Sequence, residues 1–218
     1  MRQVIAIDGP SGSGKTTMAK LIAQALGFNY LDTGALYRAI ALALRAELKE
    51  PEDDDDRLRD VLNRTCVSFE NGRIFLNGRD VSEDIRAKEI DHYSSVFSAR
   101  KIVRDFLLDT QRQAALQDDL VVEGRDTTTV VFPNAVKKVF LDASVEERAK
   151  RRYNQVKAKG IYIGPGEARR HIIERDQRDA SRDIAPLKVA PDALLIDSSD
   201  LSIEQVKEKI MNFIKTDP

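Results

Sequence analysis

Cysteine is nearly absent: Cys66 is the only one in 218 residues, so no internal disulfide can form. That usage implies a reducing, cytoplasmic setting. Histidine is almost as scarce, and His92 and His171 with a single cysteine leave no usual zinc constellation. Long apolar runs are missing too. The N-terminal stretch Val4-Ile5-Ala6-Ile7 is four residues long, against ~7–15 for a secretory core and ~20 for a spanning helix. No excess of one charge exists either: 35 basic and 36 acidic residues give a net charge of −1, which argues against a dedicated duplex-binding surface. With 42% apolar and 33% charged residues, the chain reads as a folded protein that binds neither membrane nor nucleic acid.

What is present begins with Gly9-Pro10-Ser11-Gly12-Ser13-Gly14-Lys15-Thr16, which fits G-x-x-x-x-G-K-[ST] without a gap. An apolar strand precedes it, and Thr17 opens a stretch with helical spacing that runs to Leu26. Glycines in such a loop let several backbone N–H groups converge on one anion, and the following helix adds the positive end of its dipole. Lys15 is placed to reach the β- and γ-phosphates of a nucleotide, and the Thr16 hydroxyl to ligate Mg²⁺. No Asn-Lys-x-Asp guanine motif and no Asp-x-x-Gly switch follow. A small ATP-dependent kinase is the remaining reading, with its acceptor to be identified elsewhere in the chain.

Near-continuous apolar strands alternate with helices, as in Leu120–Glu123, Lys138–Asp142 and Ala193–Asp197. The pattern predicts an α/β fold, a parallel sheet covered by helices on both faces. Helices are expected over Ala39 to about Leu48, Ala87 to about Leu116, Glu146 to about Ala158, Glu167 to about Ser181 and Ile203 to about Ile214. Residues 65–81 differ: short strands joined by Asn71-Gly72 and Asn77-Gly78 predict an inserted antiparallel sheet of about three strands. The run Glu52-Asp53-Asp54-Asp55-Asp56 reads as a solvated helix start rather than a cation site, since sequential positions on one loop rarely converge as ligands. Domain limits follow: a core of 1–38, 87–150 and 183–218, an insertion over 39–86, and a basic segment over 151–182.

Overall neutrality hides a local excess. Residues 148–182 hold eight Arg and three Lys against four acidic residues, a local charge of +7. Arg175, Asp179 and Arg182 fall at i, i+4 and i+7 and so share one helix face. Such a face is either a solvated helix laced with ion pairs or a clamp over phosphates and sugar, for which the planar guanidinium fork is suited. Gly160–Gly166 is either a hinge for a closing lid or a plain loop.

Taken together, Asp8–Lys15, Asp32–Arg38, Glu123-Gly124-Arg125-Asp126 with Val130–Pro133, Phe140–Ser144 and the Arg175–Arg182 block resemble bacterial cytidylate kinases, within the nucleoside monophosphate kinases. The resemblance runs nearly end to end, and the Arg38 and Arg125 motifs are far more specific than the phosphate loop. It implies in-line transfer of the γ-phosphoryl group of ATP to CMP or dCMP with Mg²⁺. No apolar surface stripe recommends a stable dimer, so a monomer is expected. Residues Gly9–Thr17 would bind ATP. By motif position, Thr33, Arg38 and Arg125 look like acceptor-phosphate ligands, Tyr37 like a further substrate-binding residue, and Ser95, Arg104 and Asp126 like readers of the cytosine edge. Arg175, Asp179 and Arg182 are similar to the set that holds the sugar and nearby phosphate. Lys15, Arg125, Arg151 and Arg182 would neutralise charge during transfer. The alternatives are a kinase for UMP, shikimate or gluconate, and a nucleotide-binding module without catalysis. One departure stands out: Thr128 occupies a position where the family usually has glycine.

Overall fold

The computed structural model describes residues 2–48, 54–70, 72–158, 160 and 162–216. Five parallel strands form the central sheet: β1 (Val4–Asp8), β2 (Asn29–Asp32), β6 (Leu120–Gly124), β7 (Lys137–Asp142) and β8 (Leu194–Asp197), in the order β2-β6-β1-β7-β8. A second sheet of three antiparallel strands, β3 (Val67–Glu70), β4 (Arg73–Leu76) and β5 (Arg79–Asp80), has the order β3-β4-β5. The expected α/β architecture and inserted sheet are both present. Asn71, between β3 and β4, lies outside the described residues.

Strand alternation distributes the core over the two faces of the sheet. Ile5 and Ile7 of β1 join Val121, Val139 and Leu141 beneath α1 (Lys15–Leu26) and α8 (Ile203–Lys215). Ala6, Leu120 and Val122 face the other way, into a larger cluster built on α2 (Thr33–Glu47), with α3 (Asp55–Asn63), α4 (Lys88–Phe97) and α5 (Lys101–Gln117). Val67, Ile74 and Val81 of the small sheet and its exit belong to that same cluster. The insertion therefore shares a core with the parallel sheet, and α2 is the element that joins them.

Local chemistry moves three boundaries. Asp32 caps α2, its Oδ1 accepting from the Ala35 N–H at 3.0 Å, so the helix begins at Thr33 rather than Ala39 and takes in the whole Thr33–Arg38 motif. The single helix expected from Ala87 to about Leu116 is two: α4 ends at Phe97, Ser98–Arg100 turn, and α5 starts at Lys101. Thr127–Val131 after β6 form a π-helical turn. Asp54 caps α3 by accepting from the Asp56 N–H, and Asp55 and Asp56 occupy its first turn, which fits the solvated helix start; Pro51, Glu52 and Asp53 lie outside the described residues.

Two basic helices, α6 (Val145–Ala158) and α7 (Pro165–Ser181), pack against each other beyond β7. Gly160, at φ +73°, stands in the connection between them, and Ile161 is outside the described residues. Among the described residues no helix is long and apolar enough to cross a membrane.

Leu44, fully buried on α2 at the far end from the phosphate loop, tests the shared core. Leu44→Ala is expected to lower the free energy of unfolding by about 2–5 kcal/mol. A urea midpoint that stays put would show that α2 does not carry the core.

Candidate active site

Register places the functional loops. β1 ends at Asp8 beside Gly124 of β6, and Asp32 of β2 lies opposite Glu123. The phosphate loop, the start of α2 and the Gly124-Arg125-Asp126 segment thus emerge together at the carboxyl edge of the sheet, where ligands of open α/β sheets bind. Two close approaches depend on glycine. A Cβ on Gly9, at φ +151°, would lie 2.0 Å from the Leu141 carbonyl oxygen, and one on Gly124 would lie 2.6 Å from both Thr33 Oγ1 and Thr127 Cγ2.

Those loops enclose a cavity of about 480 Å³. Of the sequence-predicted residues, the structure brings Ser11, Gly12, Gly14, Lys15, Thr16 and Thr17 to one wall. Thr33, Tyr37, Arg38, Ser95, Arg125 and Asp126 form the second, and Arg151, Arg175, Asp179 and Arg182 close it from α6, α7 and the residue after α7. Gly9, Pro10, Ser13 and Arg104 do not line the cavity. The first three form the body of the phosphate loop. Arg104 stands behind the wall, pairing with Asp126, donating Nη1 to the Ser98 carbonyl at 2.9 Å and lying over the Tyr37 ring at 5.4 Å.

The cationic groups are held apart by interleaved carboxylates. Arg38 Nε donates to Asp91 Oδ1 at 3.0 Å, and Arg152 of α6 donates Nη2 to Asp91 Oδ2 at 2.9 Å. One carboxylate of α4 therefore bridges α2 and α6. Burial pushes the Asp91 carboxyl up, but Arg38, Arg175 and Arg152 outweigh it and hold the pKa at about 2. Arg125 Nε donates to Asp179 Oδ2 at 2.8 Å, and Arg178 Nε donates to Ser95 Oγ at 3.0 Å, tying α7 to α4. Arg175 carries a buried Nε with no hydrogen-bond partner, and burial with the neighbouring Arg125 draws its pKa down to about 10. A buried guanidinium with an unused donor beside a second guanidinium is an anion site by its chemistry.

Lys15 is buried and donates Nζ to the Pro10 carbonyl at 2.7 Å and to Ser13 Oγ at 3.4 Å, so it braces the loop it belongs to. Burial and Arg125 pull its pKa below the usual lysine range. Arg151 performs a similar brace, donating Nη1 to the Ser13 carbonyl and Nη2 to the Ser198 carbonyl at 2.8 Å.

Glu123, Arg86 and Arg152 also line the cavity and were not singled out in the sequence. Glu123 accepts from Tyr30 Oη at 2.6 Å and interacts with the Thr16 hydroxyl; burial, reinforced by Asp32, raises its pKa. Its place next to Gly124-Arg125-Asp126 was the available signal. Arg86, whose Nη1 is 3.8 Å from Asp32 Oδ2, sits on a short 3-10 turn with no motif around it. Among the described residues no group of three His, Cys, Asp or Glu could hold a metal ion by itself. Thr16 with Glu123 is instead the sparse donor set that suits Mg²⁺, which keeps most of its waters and relies on substrate phosphates.

Known proteins share this chain's sequence along its length. The profile of the family described as Cytidylate kinase matches residues 5–216. A cytidylate kinase from Thermodesulfovibrio yellowstonii is 47% identical over 221 aligned residues that cover all of both chains. Another, from Thermosipho melanesiensis, is 49% identical and covers 97% of this chain and 96% of its own. Among solved structures, an uncharacterized protein from Eubacterium ventriosum superposes with a TM-score of 0.54 at 14% identity over 98% of each chain, a likeness of fold alone. With its family signature matched over nearly every residue, the chain belongs to the cytidylate kinase family.

Proposed function

We propose that the protein transfers the γ-phosphoryl group of ATP to CMP and dCMP. The observation that carries the reading is one cavity in which a phosphate loop faces Arg38, Arg125, Arg175 and Arg182, with Ser95 and the Arg104-backed Asp126 at its inner end. Two anionic substrates need cations between them, and a cytosine edge needs paired polar readers. An acceptor without a base, such as shikimate, has no use for the second requirement.

The phosphate loop and the start of α1 bind the triphosphate of ATP through backbone N–H groups. Arg38 and Arg125 grip the acceptor phosphate, with Thr33 and Tyr37 beside them, and Arg175 and Asp179 hold the sugar. A phosphate monoester is largely dianionic near pH 7, so its oxygen attacks directly and no general base is required. Transfer proceeds in line. Lys15, Arg125, Arg151 and Arg182 meet the charge that spreads over the equatorial oxygens, which is most of what such a transition state demands. Mg²⁺ would be held by the Thr16 hydroxyl with Glu123 behind it, and supplies charge neutralisation on the donor phosphates. The segment 151–182 acts as a lid, with 39–86 as the acceptor-binding insertion.

An acceptor panel with coupled detection of ADP release tests the reading: CMP and dCMP are expected to dominate over UMP, shikimate and gluconate. A stronger response to shikimate, or ATP binding without acceptor-dependent ADP release, would refute it. In the same assay Lys15→Ala should lose at least 100-fold in turnover, equivalent to ~2.7 kcal/mol. Near-normal turnover of that variant would rule out the assigned role of Lys15.

A further inference from the structure

The carboxylate of Asp8, last residue of β1, is fully buried and saturated with donors. Its Oδ1 accepts from the Thr127 N–H at 3.0 Å and from Thr127 Oγ1 at 2.7 Å. Its Oδ2 accepts from the Thr128 N–H at 2.7 Å and from Thr128 Oγ1 at 2.6 Å. Both threonines are buried as well. The next residue after Asp8 is Gly9 of the phosphate loop, and the residue before Thr127 is Asp126.

We infer that Thr127 and Thr128 are positioning residues for acceptor recognition, which through Asp8 fix Arg125 and Asp126 relative to the phosphate loop and so set discrimination among pyrimidine bases. This rests on the function proposed above. The inference follows from what else holds each side of the clamp. The phosphate loop has anchors of its own: Lys15 Nζ to the Pro10 carbonyl, Arg148 Nη1 to the Ser11 carbonyl at 3.2 Å, and Arg151 Nη1 and Ser198 Oγ to the Ser13 carbonyl, each at 3.2 Å. The base-reading side is held at its start by side chains, Asp126 pairing with Arg104 and Arg125 Nε donating to Asp179 Oδ2 at 2.8 Å. Its turn is closed by the Asp126 carbonyl, which accepts from the N–H groups of Thr129, Val130 and Val131, so Asp126 and the turn move as one body. Arg112 holds only the far end, through the Val130 and Val131 carbonyls.

Asp8 and Asp126 also repel one another across this turn. The hydroxyls of Thr127 and Thr128 supply half of the donors that keep Asp8 in place despite that repulsion. Losing one hydroxyl leaves a buried carboxylate oxygen under-satisfied, and the turn loses part of its tie to the phosphate loop. Asp126, which that turn carries to the cavity wall, would then be misaligned toward an acceptor base. A glycine at position 128 would make no such side-chain bond.

Steady-state kinetics of Thr128→Val and Thr128→Ser with CMP, UMP and ATP test the assignment. Thr128→Val should raise KM for CMP about tenfold, the scale of one charge-assisted hydrogen bond. The KM for ATP should stay within about twofold and the preference for CMP over UMP should narrow. Thr128→Ser, which keeps the hydroxyl, should restore both. If Thr128→Val yields no folded protein, Thr128→Ala, which adds no methyl against the carboxylate, is measured in its place. A lowered melting temperature with an unchanged CMP-to-UMP ratio, parallel rises in both KM values, or failure of serine to restore would overturn the inference. Wild-type enzyme that prefers an acceptor other than CMP would refute the functional reading itself, whereas a wild-type preference for CMP with unmoved variant ratios would refute only the positioning role.

Discussion

Mutual repulsion among cations is the constraint on which this site is built. Eight cationic side chains line one cavity against four carboxylates. Guanidiniums a few ångströms apart in a partly desolvated space repel strongly unless carboxylates stand between them. Asp91 between Arg38 and Arg152, Asp179 beside Arg125, and Asp126 against Arg104 do this, each bridging different elements of secondary structure. The carboxylates fix the direction of each guanidinium fork and leave other donors free for phosphate oxygens. Arg175 and Arg182 each keep a buried nitrogen without a hydrogen-bond partner, so compensation there is incomplete. Anionic substrates supply the remaining negative charge, so binding energy and relief of repulsion coincide.

The same arrangement ties the basic helices to the rest of the site. Asp91 joins α2 to α6, Arg178 joins α7 to Ser95 of α4, and Arg125 joins the end of β6 to Asp179 of α7. Each contact ties the basic segment to an element that faces the acceptor. Under the function proposed above, substrates engage these same charges, so a lid in this segment would close more firmly over a loaded site than over an empty one and limit wasteful hydrolysis of the donor.

Much of this was legible in the sequence because its carriers are local. The phosphate loop, the Asn77-Gly78 turn and the alternation of apolar strands each lie within a few consecutive residues. Asp32–Arg38 was legible as a motif but not as a helix start, because the cap depends on the Asp32 side chain reaching Ala35 after a strand whose burial comes from β6. The break at Ser98–Arg100 carries neither proline nor glycine, so nothing local announces it. The site residues that escaped notice have partners far along the chain. Glu123 meets Tyr30 across 93 positions, and Arg152 meets Asp91 across 61. Pattern reading finds groups that act with their neighbours and misses those that act with distant ones.

Asp8 shows how a residue can be visible in a motif while its role is not. In sequence it is the polar end of an apolar strand, the position before the phosphate loop, and nothing there hints at a load-sharing role. In the fold it is a buried carboxylate that joins the strand entering the phosphate loop to the turn after β6, 119 and 120 positions from its two partners. Phosphoryl transfer requires donor and acceptor to be held at a fixed distance and angle, and small misplacements are costly. Two substrate sites on separate loops meet that requirement only if something buried and directional joins the loops. A saturated carboxylate does so without a metal or a covalent link, since four short hydrogen bonds fix its position more narrowly than apolar packing would. The parallel sheet brings β1 and β6 side by side; the Asp8 clamp turns that adjacency into a defined geometry between the two substrates.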